Sequence, residues 1–161
     1  STCRVGCAID IGTTTVALLL VDLVTSQVVS RQTAFNEQIH FGQDVLTRIS
    51  FAAGGAERVE RLRRAIVEQT LLPLLHRALA EAALDARDVG VIGVAGNTTM
   101  LHLLLGVDPT PMGVAPFTPG FLSHRVERSE QLLGAPFAGE VHLLPGASAY
   151  VGADVVAGVL V

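Results

Sequence analysis

"AIDIGTTTVALLLVDL", residues 8–23, decides how the rest of the chain is read. Its first and last parts have the continuous apolar character of strands buried on both faces. Between them lies Asp10-Ile11-Gly12-Thr13-Thr14-Thr15, which puts a carboxylate, a glycine and three hydroxyls at the turn of a buried hairpin. Gly12 permits a tight turn that brings backbone close to a ligand. The amides of residues 12–15 can converge on a phosphate, and the threonine hydroxyls can add donors. Asp10, at the carboxyl end of the first strand, is placed to hold a magnesium ion through water, because magnesium keeps several of its waters. The competing reading is a plain hairpin, in which threonines favour β structure and the aspartate caps a turn. Spacing alone leaves both open.

Outward from this hairpin the pattern predicts strands over 4–11, 14–23 and 28–35, with a polar turn at 22–27. Asp44 is a candidate cap for a helix over 45–53. Residues 56–84 are helical in composition, with Val59, Leu62, Ile66 and Leu79 near helical spacing, and Pro73 must kink that stretch or start a second helix. A strand of small residues follows at 88–97, then a short apolar helix closed by Gly106. Residues 107–138 hold five prolines and read as a loop-rich excursion. A last strand at 140–144 leads to a final helix from near Ser148. Three hairpin-linked strands followed by helix-connected strands predict a five-stranded mixed α/β sheet with helices on both faces. Right-handed crossovers make the last two strands parallel to the first, a ribonuclease H-like arrangement.

Composition narrows the chemistry. The 161 residues are 50% hydrophobic and 16% charged, which fits one folded domain with a real core. The longest apolar run, residues 16–21, is far short of a membrane span, and the first residues do not read as a signal peptide. There is no lysine, so a Walker-type phosphate loop and Schiff-base chemistry are excluded. A net charge of −4 argues against sequence-independent nucleic-acid binding. The arginines cluster once, at 58, 61, 63 and 64, but Glu57, Glu60 and Glu68 interleave with them as on a solvated helix face. Cys3 and Cys7 are too few for a zinc or iron–sulfur site and read as free thiols in a reducing cytoplasm.

Three further stretches carry polar groups. "GNTTM", 96–100, sits where a strand ends and a helix begins, so Asn97 and Thr98 either aim helix N-terminal donors at a phosphate or simply cap the helix. In "NEQIHFGQDVLTR", 36–48, an N-cap and an intrahelical pair account for Asp44 and Arg48, leaving Asn36 and Gln38 unexplained. In "LPGASAYVGADVVAG", 144–158, Asp154 is a candidate water-orienting carboxylate or a first-turn residue complementing the helix dipole. The five histidines are scattered, with no pair at metal-ligand spacing, and His102 reads as a satisfied core histidine.

Taken in order, "AIDIGTTTVALLLVDL", "NEQIHFGQDVLTRI", "GNTTMLHLLLG", "PFTPGF" and "LPGASAYVGADVVAGVL" resemble the ATPase part of the reductive activators of corrinoid proteins. Those belong to the actin, sugar kinase and chaperone-type ATPase superfamily. The resemblance implies a two-lobed ATPase with ATP and magnesium in its cleft, and Asp10, Gly12, Thr13, Thr14 and Thr15 match the first phosphate motif. It implies that ATP drives a low-potential electron from an iron–sulfur domain onto a cobalt(II) corrinoid protein, restoring the cobalt(I) nucleophile. The family's upstream cysteine set and its second phosphate motif do not occur here, and Glu37 stands where the family pattern has proline. The chain starts without Met and stops within an apolar helical pattern. Residues 1–161 are therefore expected to be the first lobe of such a domain, inefficient in ATP hydrolysis alone. Its expected partners are the second lobe, a corrinoid protein and, in a dimer, a second copy. A sugar or carboxylate kinase lobe and a non-catalytic actin-like scaffold are the alternative readings.

Overall fold

The computed structural model describes residues 4–121 and 123–146. The opening hairpin forms as expected: β1 (Val5–Ile11) pairs antiparallel with β2 (Thr15–Asp22), with Ile11 opposite Val16, and β2 pairs with β3 (Val28–Phe35). The β2–β3 turn closes because the Asp22 carboxylate accepts from the amides of Val24 and Thr25 at 2.8 and 2.9 Å. Two further parallel strands, β4 (Val89–Gly96) and a strand at Glu140–Pro145, extend the sheet from β1.

The sheet has six strands, not five. A short edge strand, β5 (Arg125–Arg128), pairs antiparallel with β6 (Glu140–Pro145), giving the order β3-β2-β1-β4-β6-β5. β5 lies inside the stretch read as loop. Its sequence, RVER, has no apolar alternation because it is largely exposed, and its place in the sheet comes from backbone pairing.

The helices are α1 (Val45–Ala52), α2 (Ala56–Ile66), α3 (Leu72–Glu81), α4 (Thr98–Leu105), and the short α5 (Thr110–Gly113) and α6 (Ser129–Leu133). The long helical stretch is two helices joined by a π turn at Val67–Leu71. That turn absorbs Pro73, which lacks an N–H and sits at the second position of α3. α3 ends at Glu81, short of the expected 84, because Ala83 turns left-handed at φ 56°.

One face of the sheet carries Cys7, Ile9, Ile11, Leu18, Leu20, Ile92, Val94 and Leu143, packed against Val59, Leu62, Ile66, Leu74, Leu75 and Leu101 of the helices. Leu62 and Ile66 are completely buried, each side chain contributing about 1.5–3 kcal/mol of burial energy. The opposite face is lined by smaller residues; Ala8 and Val91 cluster there with Leu19 and Leu23. Among the described residues the helices in the core pack on the first face. The helix expected from near Ser148, and with it a helical layer on the second face, lies outside the described residues. No described helix is long and apolar enough to cross a membrane.

Candidate functional site

Three strands point the same way at the centre of the sheet, so their carboxyl ends share one edge. Register places Ile11 of β1 beside Gly96 of β4, and Gly96 beside Pro145 of β6. The turn after β1 and the start of α4 after β4 therefore meet there, at the edge where ligands collect in such sheets. Gly96 permits the approach: a Cβ on it would come to 3.2 Å from the Ile11 carbonyl.

Asp10 stands one residue before the end of β1, on the sheet face away from the helices. Its neighbours across the sheet are Ala17 on β2 and Ala95 on β4. Both neighbours are alanines, without polar groups to engage the carboxylate, and the Asp10 side chain makes no hydrogen bond or ion pair to a described residue. Gly12 is required by close approach: a Cβ would sit 2.5 Å from the Thr15 carbonyl oxygen, to which the Gly12 amide donates at 3.0 Å. Thr14 and Thr15 are exposed.

The turn is held from within. The fully buried Asn36 donates its side-chain amide to the Gly12 carbonyl at 3.0 Å and its backbone N–H to the Thr14 carbonyl at 2.8 Å. The fully buried Arg48 donates through Nη2 to the Thr13 carbonyl at 2.6 Å. All three carbonyls from Gly12 to Thr14 are thus engaged by the protein. Among the described residues the amides of Thr13 and Thr14 have no hydrogen-bond partner. A turn with its carbonyls occupied and its amides free presents donors to an anion.

Arg48 is not the helix-surface partner of Asp44 that its spacing suggested. Asp44 caps α1, accepting from the Thr47 amide at 2.8 Å, with the Thr47 hydroxyl closing a capping box. These bonds hold the exposed Asp44 carboxyl below its usual range. Arg48 instead points inward, donating through Nε to the Gly42 carbonyl at 2.9 Å and packing Nη1 3.5 Å from the Met100 sulfur of α4. Burial pushes its pKa down, partly offset by the Asp44 charge, yet a guanidinium remains protonated.

Asn97 caps α4: its side-chain oxygen accepts from the Met100 amide at 2.9 Å. That oxygen is committed to the helix, and Thr98 occupies the first turn beside it. Asp154 lies outside the described residues, as does Cys3. Cys7 is fully buried, and burial pushes its thiol far up, so it is an inert core residue.

His102 is the satisfied core histidine expected. Its Nε2 accepts from the Gly120 amide at 2.8 Å and its Nδ1 sits 2.7 Å from the Thr98 carbonyl. One histidine pair is in contact: His124 Nε2 lies 2.8 Å from His142 Nδ1, with Glu140 3.1 Å beyond. β5 and its neighbour β6 bring them together, which the unrecognised edge strand had concealed. Among the described residues no group of three or more His, Cys, Asp or Glu side chains is arranged to hold a metal ion.

The signal for Asn36 was present in its being an unexplained polar residue after a strand. Arg48 had no such signal, since an Asp four residues earlier offered a sufficient surface explanation.

A family model described as the RACo middle region matches residues 5–161. The corrinoid activation enzyme RamQ of Eubacterium limosum is 34% identical over 154 residues, covering 94% of this chain and 26% of that protein. The solved structure of a reductive activator for corrinoid, iron-sulfur protein superposes with a TM-score of 0.83 at 35% identity, covering 96% of this chain and 25% of that one. The chain thus spans about a quarter of the length of these relatives.

Proposed function

The chain belongs to the RACo middle region family, and from that premise we propose that it is the first, ribonuclease H-like lobe of an ATP-dependent activator of corrinoid proteins. In this reading the protein returns a cobalt(II) corrinoid partner to cobalt(I), with the cobalt as substrate. The iron–sulfur domain that supplies the electron and the second ATPase lobe belong to other parts of the whole protein. The names of the relatives, which act in corrinoid activation, support the process.

The observation that carries the nucleotide assignment is the Gly12–Thr15 turn, with three carbonyls engaged inside and two amides left for an anion. Magnesium and ATP fit the residues present. Asp10, with only alanines beside it on the neighbouring strands, offers the oxygen ligands a hard cation requires. Thr13 and Thr14 would donate to phosphate oxygens, and Thr15 adds a hydroxyl nearby. Asn97 and Thr98, at the N-terminus of α4, stand at the same sheet edge. Asp154 retains its place in the proposal as a water-orienting carboxylate. Magnesium supplies charge neutralisation and orientation of the phosphates when bound. The chain's own part is to hold that phosphate group against a turn that needs no rearrangement to receive it.

Reduction of a cobalt(II) corrinoid to cobalt(I) is uphill, so nucleotide must favour a state of the whole protein in which the electron can pass. That requires nucleotide to bind two arrangements of the lobes with different affinity. A cytoplasmic protein, with a second copy as a further partner, completes the proposal.

The test is calorimetry of Mg·ATP binding to the full-length protein. Binding lost in Asp10→Asn, together with ATP-dependent cobalt(II) reduction by the parent, is the expected result. Full-length protein that binds no nucleotide would leave the turn a plain hairpin and sink the ATPase reading.

A further inference from the structure

We propose that Arg48 is the positioning residue of the phosphate turn. It fixes the Thr13 peptide and sets a buried positive charge directly behind it, so that Arg48 governs affinity for the phosphates and not for the nucleoside. The proposal rests on the phosphate-turn reading above.

Arg48 is completely buried and has no carboxylate within ion-pair distance among the described residues. The nearest candidate, Asp44, is exposed and committed to capping its own helix. A buried cation without a counter-ion is costly, and leaving one in place calls for a reason. Its hydrogen bonds give one. The guanidinium holds the Gly42 and Thr13 carbonyls on two different segments, at 2.9 and 2.6 Å, and touches Met100 in the first turn of α4. It therefore ties the turn after β1 to the helix that starts after β4, the two segments that share the ligand edge of the sheet.

Two consequences follow for an anion over the turn. Holding the Thr13 carbonyl fixes the peptide plane it shares with the Thr14 amide, so that donor is aimed before any ligand arrives. The charge one peptide group below the turn also acquires its missing counter-charge when a phosphate binds. Asn36 performs the first task for the neighbouring carbonyls but brings no charge. The two residues separate aim from charge.

The experiment compares Mg·ATP with adenosine as ligands of the full-length protein, by calorimetry, for wild type, Arg48→Met, Arg48→Lys and Asn36→Ala. The ratio of the two affinities isolates the phosphate-dependent part, which a merely structural role leaves unchanged. In Arg48→Met the ratio is expected to fall by about tenfold or more, the scale of one lost charge-assisted hydrogen bond, with adenosine affinity unchanged. Arg48→Lys restores part of it through charge, without the fork that spans two carbonyls. Asn36→Ala lowers the ratio less than Arg48→Met. Equal ratios in wild type and Arg48→Met would overturn the proposal while leaving the phosphate turn standing, as would parallel loss of ATP and adenosine. If Arg48→Met does not fold, Arg48→Lys decides: a lowered ratio with adenosine affinity unchanged supports the proposal, and a ratio equal to wild type overturns the aiming of the turn by the fork. A wild-type protein that binds ATP no better than adenosine removes the phosphate-turn reading itself, and this proposal with it.

Discussion

Arg48 donates to the carbonyl of Thr13 across 35 residues of sequence, at 2.6 Å. The bond joins a helix interior to a hairpin turn, and the stability of the chain should report it. Arg48→Met keeps much of the side-chain length but leaves the Gly42 and Thr13 carbonyls without donors. Hydrogen bonds to a charged group contribute about 1.5–3 kcal/mol each, and relief of the buried charge offsets part of their loss. The expected net destabilisation is about 2–3 kcal/mol by chemical denaturation at neutral pH. Arg48→Lys should lose roughly half as much. An Arg48→Met variant as stable as wild type would show that the guanidinium is not holding the turn.

Gly12→Ala tests the turn from its other side. The new methyl would lie 2.5 Å from the Thr15 carbonyl oxygen, a backbone atom that cannot swing away as a flexible side chain would. Relief requires the hairpin to open and the Gly12-to-Thr15 hydrogen bond to stretch. The cost should be about 1–3 kcal/mol, as for other insertions into filled space. Thr14→Ala, at an exposed position of the same turn, should change stability by less than about 0.5 kcal/mol. Equal effects of the two substitutions in denaturant melts would contradict the close approach.

The sequence revealed β1, β2 and β4 because each is largely apolar along its length, and burial writes itself into composition. It revealed the cap of α1, and offered that of α4 as one of two readings, because Asp44 and Asn97 cap through bonds within three residues. It did not reveal β5, whose place depends on backbone pairing with β6 and leaves RVER looking like loop. It misassigned Arg48 for a related reason. The local explanation was sound chemistry, but besides the nearby Gly42 carbonyl the residue's partners are Thr13 and Met100, 35 and 52 residues away. The candidate turn was legible as a local motif, Asp10 to Thr15, and its brace through Arg48 was not, because that contact is tertiary.

His102 sets a pH dependence with a definite sign. Its Nε2 accepts from the Gly120 amide, so the ring is neutral with its proton on Nδ1, facing the Thr98 carbonyl. Burial holds its pKa below the ordinary value of about 6.5, and Arg125 pushes the same way against the opposing bond to Thr98. As pH falls through about 6.5 the unfolded chain takes up a proton that the folded chain resists. Stability is therefore full above that pH and declines below it, down to the lowered folded pKa. The capping aspartates Asp22 and Asp44, whose pKa values are also lowered, act only in a separate, more acidic window. Denaturation midpoints measured between about pH 7.5 and 5 should fall for wild type. His102→Gln should be less stable throughout and lose most of that slope. A slope unchanged by the substitution would assign it to another group.

Glu37 stands where the resemblance to corrinoid activators leads one to expect proline, and the structure shows what that position does here. The Glu37 amide donates to the Thr70 hydroxyl at 3.1 Å, and that hydroxyl in turn donates to the Ala65 carbonyl at 2.8 Å. The chain ties the segment after β3 to the π turn through an N–H that proline lacks. The exposed contact of the Glu37 carboxylate with His40 Nε2, at 2.9 Å, contributes little, and two backbone effects of Glu37→Pro then oppose each other. Loss of the bond to Thr70 costs about 1 kcal/mol, since the hydroxyl keeps its bond to Ala65. Proline at the first position of the short helix Glu37–Phe41 suits that position, and Asn36 already has the extended conformation, φ −75° and ψ 110°, that a following proline demands. Stiffening the unfolded chain there returns about 0.4–1 kcal/mol. The substitution should be nearly neutral in denaturant melts and, on the proposed nucleotide-binding role, should leave Mg·ATP affinity within about twofold, because Asn36 keeps its hold on the Gly12 and Thr14 carbonyls. A loss well above about 2 kcal/mol would mean that the Thr70 bond has become indispensable to the fold of this chain.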